Sequence, residues 1–272
     1  MKILNLFSLA LIFAFLYACG SAEQSADTEN KVSETPATET TAASADGMNS
    51  LTEQEQQDGW SLLFDGESFE NWRGANQENF PEQGWHVEDG LLVVEAADGA
   101  ESGNGGDIVT ENEYKDFEFM VDFRITEGAN SGIKYYVTEQ YGSDKSAIGL
   151  EYQILDDAKH PDAKKGNNGK GTRTVASLYD LKAAPQDKPI NAVGEWNTAH
   201  IVSKDGKVEH WLNGEKILEY DRFSDEFAQR IENSKYKDWD GFGVWEQGHI
   251  LLQDHGNEVH FKNIKVKDLP AS

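Results

Sequence analysis

Hydrophobic and polar residues alternate along most of the chain in short runs, each closed by Gly, Asn or Asp. Period-two alternation with turn residues at the ends predicts β-strands. Phe117 to Ile125 is the clearest case: Phe117, Phe119, Val121, Phe123 and Ile125 fall on one side, Glu118, Met120, Asp122 and Arg124 on the other. Trp60 to Phe64, Ile133 to Val137, Leu150 to Leu155, Ile250 to Gln253 and Val259 to Val266 read as further strands. Asp89-Gly90, Asp205-Gly206 and Asn213-Gly214 predict tight hairpins between 85–88 and 91–94, between 198–203 and 208–212, and into 216–220. Only Ser224 to Ile231 predicts a helix, with Ser224 as its cap and Phe227 and Ile231 as an i,i+4 apolar pair. The sum is an all-β sandwich with long loops at 95–107, 138–148 and 156–175. Loops that long in a compact sandwich are often functional.

The first 50 residues follow a different pattern. Lys2 precedes an apolar run, Ile3 to Tyr17, that is too short for an ordinary membrane span and reads as a secretory signal. It ends in Leu16-Tyr17-Ala18-Cys19-Gly20, where the chain's one cysteine stands at the position of a lipobox cysteine. Cys19 is therefore expected to be lipidated, with residues 1–18 removed; simple cleavage near Ala18 is the alternative. Residues 19–50 are rich in Ser, Ala and Thr, carry six acids against the single Lys31, and contain no aromatic residue. Such a segment cannot bury enough apolar surface to offset its ordering entropy, so it is expected to be a disordered tether. Residues 51–272 are expected to form one domain on the bacterial cell envelope, facing the periplasm or the outer surface.

Charge narrows the function. With 49 Asp and Glu against 24 Lys and Arg, and a net charge of −25, the chain is no nucleic-acid binder and has no basic face for anionic lipid. Any membrane contact is expected through the lipid alone. One cysteine excludes an intramolecular disulfide. There is no Gly-x-Ser-x-Gly elbow, no His-Glu-x-x-His and no phosphate loop.

Three polar constellations remain. Alternation in Gly149 to Asp157 puts Glu151 and Gln153 on one face of a strand and Leu150, Tyr152 and Ile154 on the other. The polar face would suit an open concave surface that holds a sugar, or plain solvent exposure. Gln253-Asp254-His255-Gly256 ends a strand in three polar side chains; His255 can serve as a base or a metal ligand, or the group can be a turn held by Asp254. Asp156, Asp157, His160 and Asp162 have oxygen donors for a hard cation or form a solvated turn. His210, between Val208 and Leu212, reads as a satisfied core histidine.

The folded part also resembles a family, the 3-keto-disaccharide hydrolase domain. The resemblance runs from about Gly59 to Leu269. It rests on Gly59-Trp60-Ser61-Leu62-Leu63-Phe64-Asp65-Gly66, Trp85 to Leu91, Asn130-Ser131-Gly132-Ile133, Gly149 to Asp156, and His160-Pro161. Ser177-Leu178-Tyr179-Asp180, Gly194-Glu195-Trp196-Asn197, His210-Trp211-Leu212-Asn213-Gly214, Gly248 to Gly256 and Phe261-Lys262-Asn263-Ile264 complete it. Lys262 stands where the family more often has arginine. The resemblance implies a jelly-roll sandwich similar to concanavalin A-like lectins and glucanases. It implies glycosides oxidised to a ketone at C3 as substrates, made by a partner oxidoreductase of the glucose-fructose type, and a divalent metal in part of the family. A C3 ketone acidifies the C2 hydrogen, so a base can start an elimination at C1, with hydration giving net hydrolysis or its absence a lyase. Glu151 and His255 are the expected base or metal ligands. Lys134, Gln153, Tyr179, Gln253, Asp254 and Lys262 are expected to bind sugar hydroxyls or the keto oxygen, and Trp245 to offer an aromatic platform. A non-catalytic, lectin-like carbohydrate-binding protein is the competing reading.

Overall fold

The computed structural model describes residues 47–97, 100–166 and 171–270. The signal, Cys19 and residues up to 46 lie outside the described residues. No helix among the described residues is long and apolar enough to cross a membrane.

The alternation of Phe117 to Ile125 is realised as written. These residues form β6 (Phe117–Ile125), and its five apolar side chains are buried. β6 sits in a sheet of eight antiparallel strands. The others are β1 (Trp60–Leu62), β3 (Trp85–Glu88), β4 (Leu91–Val94), β9 (Asn197–Lys204), β10 (Lys207–Leu212), β11 (Glu215–Asp221) and β13 (Val259–Asp268). A second sheet runs in the order β2 (Trp72–Gly74), β5 (Ile108–Thr110), β12 (His249–Leu252), β7 (Asn130–Thr138) and β8 (Ile148–Leu155). The two sheets make the expected jelly-roll sandwich. Their facing sides contribute Phe117, Phe119 and Phe123 from one sheet, and Ile133, Tyr135, Tyr152 and Ile154 from the other, to one buried core.

The three hairpins form where the sequence places them. Asp89 and Gly90, Asp205 and Gly206, and Asn213 and Gly214 all have positive φ, the conformation that a two-residue turn between twisted strands requires. The helix is α2 (Asp225–Glu232), with the Ser224 side chain accepting from the Phe227 amide at 3.2 Å. His210 is fully buried between Tyr135 Oη (2.7 Å) and the Ala176 carbonyl (3.0 Å), and burial lowers its pKa to about 4, so it is a neutral core group.

Besides the short strands β2 and β5, two features depart from expectation. A short helix, α1 (Glu53–Gln57), precedes the first strand; Thr52 and Glu55 form its capping box. The folded region also begins before residue 51. Asn49 is buried, and its backbone amide donates to Asn263 Oδ1 at 2.7 Å while its own Oδ1 accepts from the Asn263 amide at 2.8 Å. Its Nδ2 donates to the Gly90 carbonyl at 2.6 Å. Composition averaged over 19–50 hides this single residue. A chain starting at residue 51 is therefore expected to be about 1–2 kcal/mol less stable than one starting at 47, because half-buried groups on Asn263 and Gly90 lose three hydrogen bonds to Asn49. Equal urea midpoints for the two would sink that expectation.

Candidate active site

β7 and β8 pair so that Lys134 stands opposite Glu151 and Gly132 opposite Gln153. All of these lie on the sheet face that turns away from the core, as the alternation requires. That face is not open. Glu151 is 7% exposed and Gln153 is fully buried, because two loop segments fold over it. The segment after 171 runs along the edge of β8, with the Ala176 amide donating to the Gln153 carbonyl and the Tyr179 amide to the Glu151 carbonyl (both 2.9 Å). This covers a strand edge that would otherwise be unpaired and brings Tyr179 beside Glu151.

The loop before β5 brings in two carboxylates that sequence reasoning missed, Glu101 and Asp107. Lys134 Nζ donates to Asp107 Oδ2 at 3.2 Å and lies 3.7 Å from Glu101 Oε1. Lys134 is thus a buried cation among three carboxylates. Burial opposes its charge, but Asp107, Glu151 and Glu101 outweigh that and hold its ammonium above the ordinary lysine range. Burial pushes Glu151 up to about 7, against the pull of Lys134 and Lys235. It pushes Asp107 up to about 6, again with Lys134 opposing. Glu101 resists its own burial and is lowered by Lys134, His255 and Lys235.

Several expected sugar contacts act on protein groups instead. With its amide oriented to suit its neighbours, Gln153 Nε2 donates to Glu151 Oε1 (2.8 Å) and the Ser131 carbonyl (3.3 Å). Gln253 Nε2 donates to Glu101 Oε1 at 3.0 Å. These amides orient carboxylates. Asp254 is fully buried, and its carboxylate accepts from the Gly105, Gly106 and Gly256 amides at 3.1, 3.0 and 2.8 Å. It has no free oxygen to offer a sugar; it anchors the loop that carries Glu101 and Asp107. Gly132 leaves room for the Glu151 carboxylate, since a Cβ there would lie 2.5 Å from Oε1.

His255 faces His160 edge-on, ring centroids 6.0 Å apart, and is close enough to Glu101 to lower its pKa. Tyr179 donates to Asp162 Oδ2 at 3.1 Å, under the Arg173 guanidinium. Trp245 stands farther out, in an aromatic cluster with Tyr141 and Phe242. Lys262 does not join the site. It lies on β13 in the other sheet, with Nζ 4.3 Å from the Trp196 ring centre.

Neither metal reading finds a donor set. Asp156 accepts the Gly128, Ala158 and Lys159 amides, Asp157 pairs with Lys188, and Asp162 pairs with Arg173. Among the described residues no three His, Cys, Asp or Glu side chains are arranged to hold a metal ion. Glu151 and His255 are joined by no third such donor among the described residues, so the chain's residues do not fit a metal held by these two side chains. A surface cavity of about 730 Å³, lined in part by Glu111, Glu113, His249 and Asp268, lies at the opposite ends of β5 and β12 and contains none of these groups.

Residues 59–267 match the model of the 3-keto-alpha-glucoside-1,2-lyase-like domain. The chain belongs to this family. A Bacteroides thetaiotaomicron protein named 3-keto-disaccharide hydrolase is 33% identical over 98% of this chain and 99% of its own length. Two crystal structures of candidate glycosyl hydrolases from Parabacteroides distasonis share the fold. One is 34% identical with a TM-score of 0.70, covering 82% of this chain and 100% of its own. The other is 26% identical with a TM-score of 0.55, covering 77% and 99%. The matched span takes in strands of both sheets.

Proposed function

We propose that the protein cleaves 3-keto-glycosides, with Glu151 as the base at C2. One observation carries this reading: a buried carboxyl with a pKa raised to about 7 lies directly across the strand pair from a buried ammonium. A base is most effective when its pKa lies near the working pH, and a fixed cation in a dry site stabilises developing negative charge strongly. The Bacteroides relative's name supports the substrate class.

The steps follow from these groups. Glu151 takes the C2 proton, and the C–H electron pair becomes an enolate whose C3 oxygen faces the Lys134 ammonium. The ketone re-forms, C1 and C2 become doubly bonded, and the C1–O bond breaks. His255 supplies the proton to the departing oxygen. Water then adds at C1 while C2 regains a proton, giving net hydrolysis; release before hydration gives a lyase. Asp107 and Gln153 hold Lys134 and Glu151 in place. The substrate must come from an oxidation at C3, the work of a glucose-fructose-type oxidoreductase, and the lipid on Cys19 would keep the enzyme on the cell envelope.

The test uses a 3-keto-glucoside with a chromogenic leaving group, in D2O. Release is expected from the ketone and not from the unoxidised glucoside, with deuterium at C2 of the hydrated product. Release without deuterium would replace elimination with direct displacement, for which Asp107 or Glu101 could serve as a second carboxylate. Sugar binding with no release would make the protein a carbohydrate-binding module.

A further inference from the structure

A row of aromatic rings leads away from Glu151. Tyr236 is buried and lies within electrostatic reach of Glu151. Its ring stacks on Phe242 with centroids 3.9 Å apart and meets Trp239 edge-on at 5.5 Å. Trp239 lies parallel to Tyr141, with centroids 6.2 Å apart and planes 9° apart, and Tyr141 lies 6.2 Å from Trp245. Tyr236 and Phe242 form a buried footing, whereas Tyr141, Trp239 and Trp245 are half-buried. The supporting segment between α2 and β12 is irregular, and its backbone is bent to hold these rings. Gly241 and Gly243 have φ of 75° and 77°, and a Cβ on Gly241 would lie 2.6 Å from Trp245 Nε1. Arg222 fixes the segment by donating to the Gly243 and Trp245 carbonyls at 3.1 and 3.0 Å.

We propose that Tyr141, Trp239 and Trp245 form the subsite for the second, unoxidised sugar ring of such a disaccharide. The inference rests on the reading of Glu151 as the C2 base. A pyranose has an apolar C–H face that lies flat on an aromatic ring while its hydroxyls stay in water, which suits rings that are half wet. Three adjoining large rings left partly in solvent go beyond scattered surface apolar residues and mark a binding surface. The row is also continuous with the reacting groups. Lys235 lies over the Tyr179 and Tyr236 rings at 4.7 and 5.1 Å and within electrostatic reach of Glu151 and Glu101. It stands at the junction that the glycosidic bond would cross.

The experiment compares a 3-keto-disaccharide with the methyl 3-keto-glucoside, which has the oxidised ring and no second one, on the full chain. Trp239→Ala and Tyr141→Ala are expected to lower kcat/KM for the disaccharide by on the order of 10-fold or more, the scale of one lost apolar subsite contact. For the methyl glycoside the change is expected to stay within about 2-fold. Trp239→Leu keeps the bulk without the ring face and repeats the comparison if the alanine variant does not fold; Trp239→Tyr should restore the disaccharide. Equal losses on both substrates, or no loss on either, would overturn the subsite while leaving Glu151 in its role. Failure of the unaltered protein to cleave either substrate would overturn both.

Discussion

Glu151→Gln is expected to lower kcat by about 10²–10⁴, the range a positioned general base supplies, and at the same time to make the protein more stable at pH 8. The two effects share one cause. The folded pKa of Glu151 is about 7 against an ordinary 4.5. Between those values the folded state binds more protons than the unfolded chain, so the contribution of this residue to stability falls as pH rises through that window. Above it, a shift of this size corresponds to a penalty of about 1–3 kcal/mol, at 1.4 kcal/mol per pH unit less some relaxation. Glutamine has no charge to desolvate and keeps the shape, so the penalty disappears with the activity. In the unaltered enzyme kcat/KM should climb with pH through an apparent pKa near 7, as the base loses its proton. Urea unfolding of both proteins at pH 5 and pH 8, with a pH–rate profile, reads all of this. A variant less stable than the parent at pH 8, or as active as the parent, would remove Glu151 from the role of base.

The second large effect is at Lys134. Lys134→Ala should cost about 10²–10³ in kcat by removing the cation that meets the enolate oxygen. It should also cost about 3–5 kcal/mol of stability near neutral pH, because it strands Asp107, Glu101 and Glu151 beside one another. The stability loss should shrink at pH 5, where Asp107 (about 6) and Glu151 (about 7) take up protons. Adding Asp107→Asn to Lys134→Ala should recover stability and leave activity where it was. If the double variant were no more stable than the single one at pH 8, the ion pair would not be the source of the cost.

The strands were legible because a period of two is a local property. Glu151 and Lys134 could each be assigned to a polar strand face from their neighbours, and the hairpin turns followed from Asp-Gly and Asn-Gly pairs. β2 and β5 were missed because each is only three residues long, too short to establish a period, and β5 is buried on both sides. Glu101 and Asp107 were missed for another reason. They lie in a glycine-rich loop whose course is set by Asp254, far along the chain, through hydrogen bonds to backbone amides that have no sequence signature. The same distance effect misplaced Lys262. Its neighbours look like those of a site residue, but the pairing of β13 with β6 puts it in the other sheet. The capping box of α1, Thr52 with Glu55, was present in the sequence and went unread because the helix has no apolar stripe.

The clamp between Asn49 and Asn263 fixes where the preceding chain departs. Asn263 also donates to Asp122 Oδ2 at 2.7 Å, and Asp122 lies on the polar side of β6, the side away from the second sheet. Asn49 thus enters the fold at the back of the eight-stranded sheet, while Glu151 and Lys134 lie on the outer face of the five-stranded one. Whatever is joined ahead of Asn49 therefore meets the protein on the wall opposite Glu151, and a saccharide bound for Glu151 would approach from the other side.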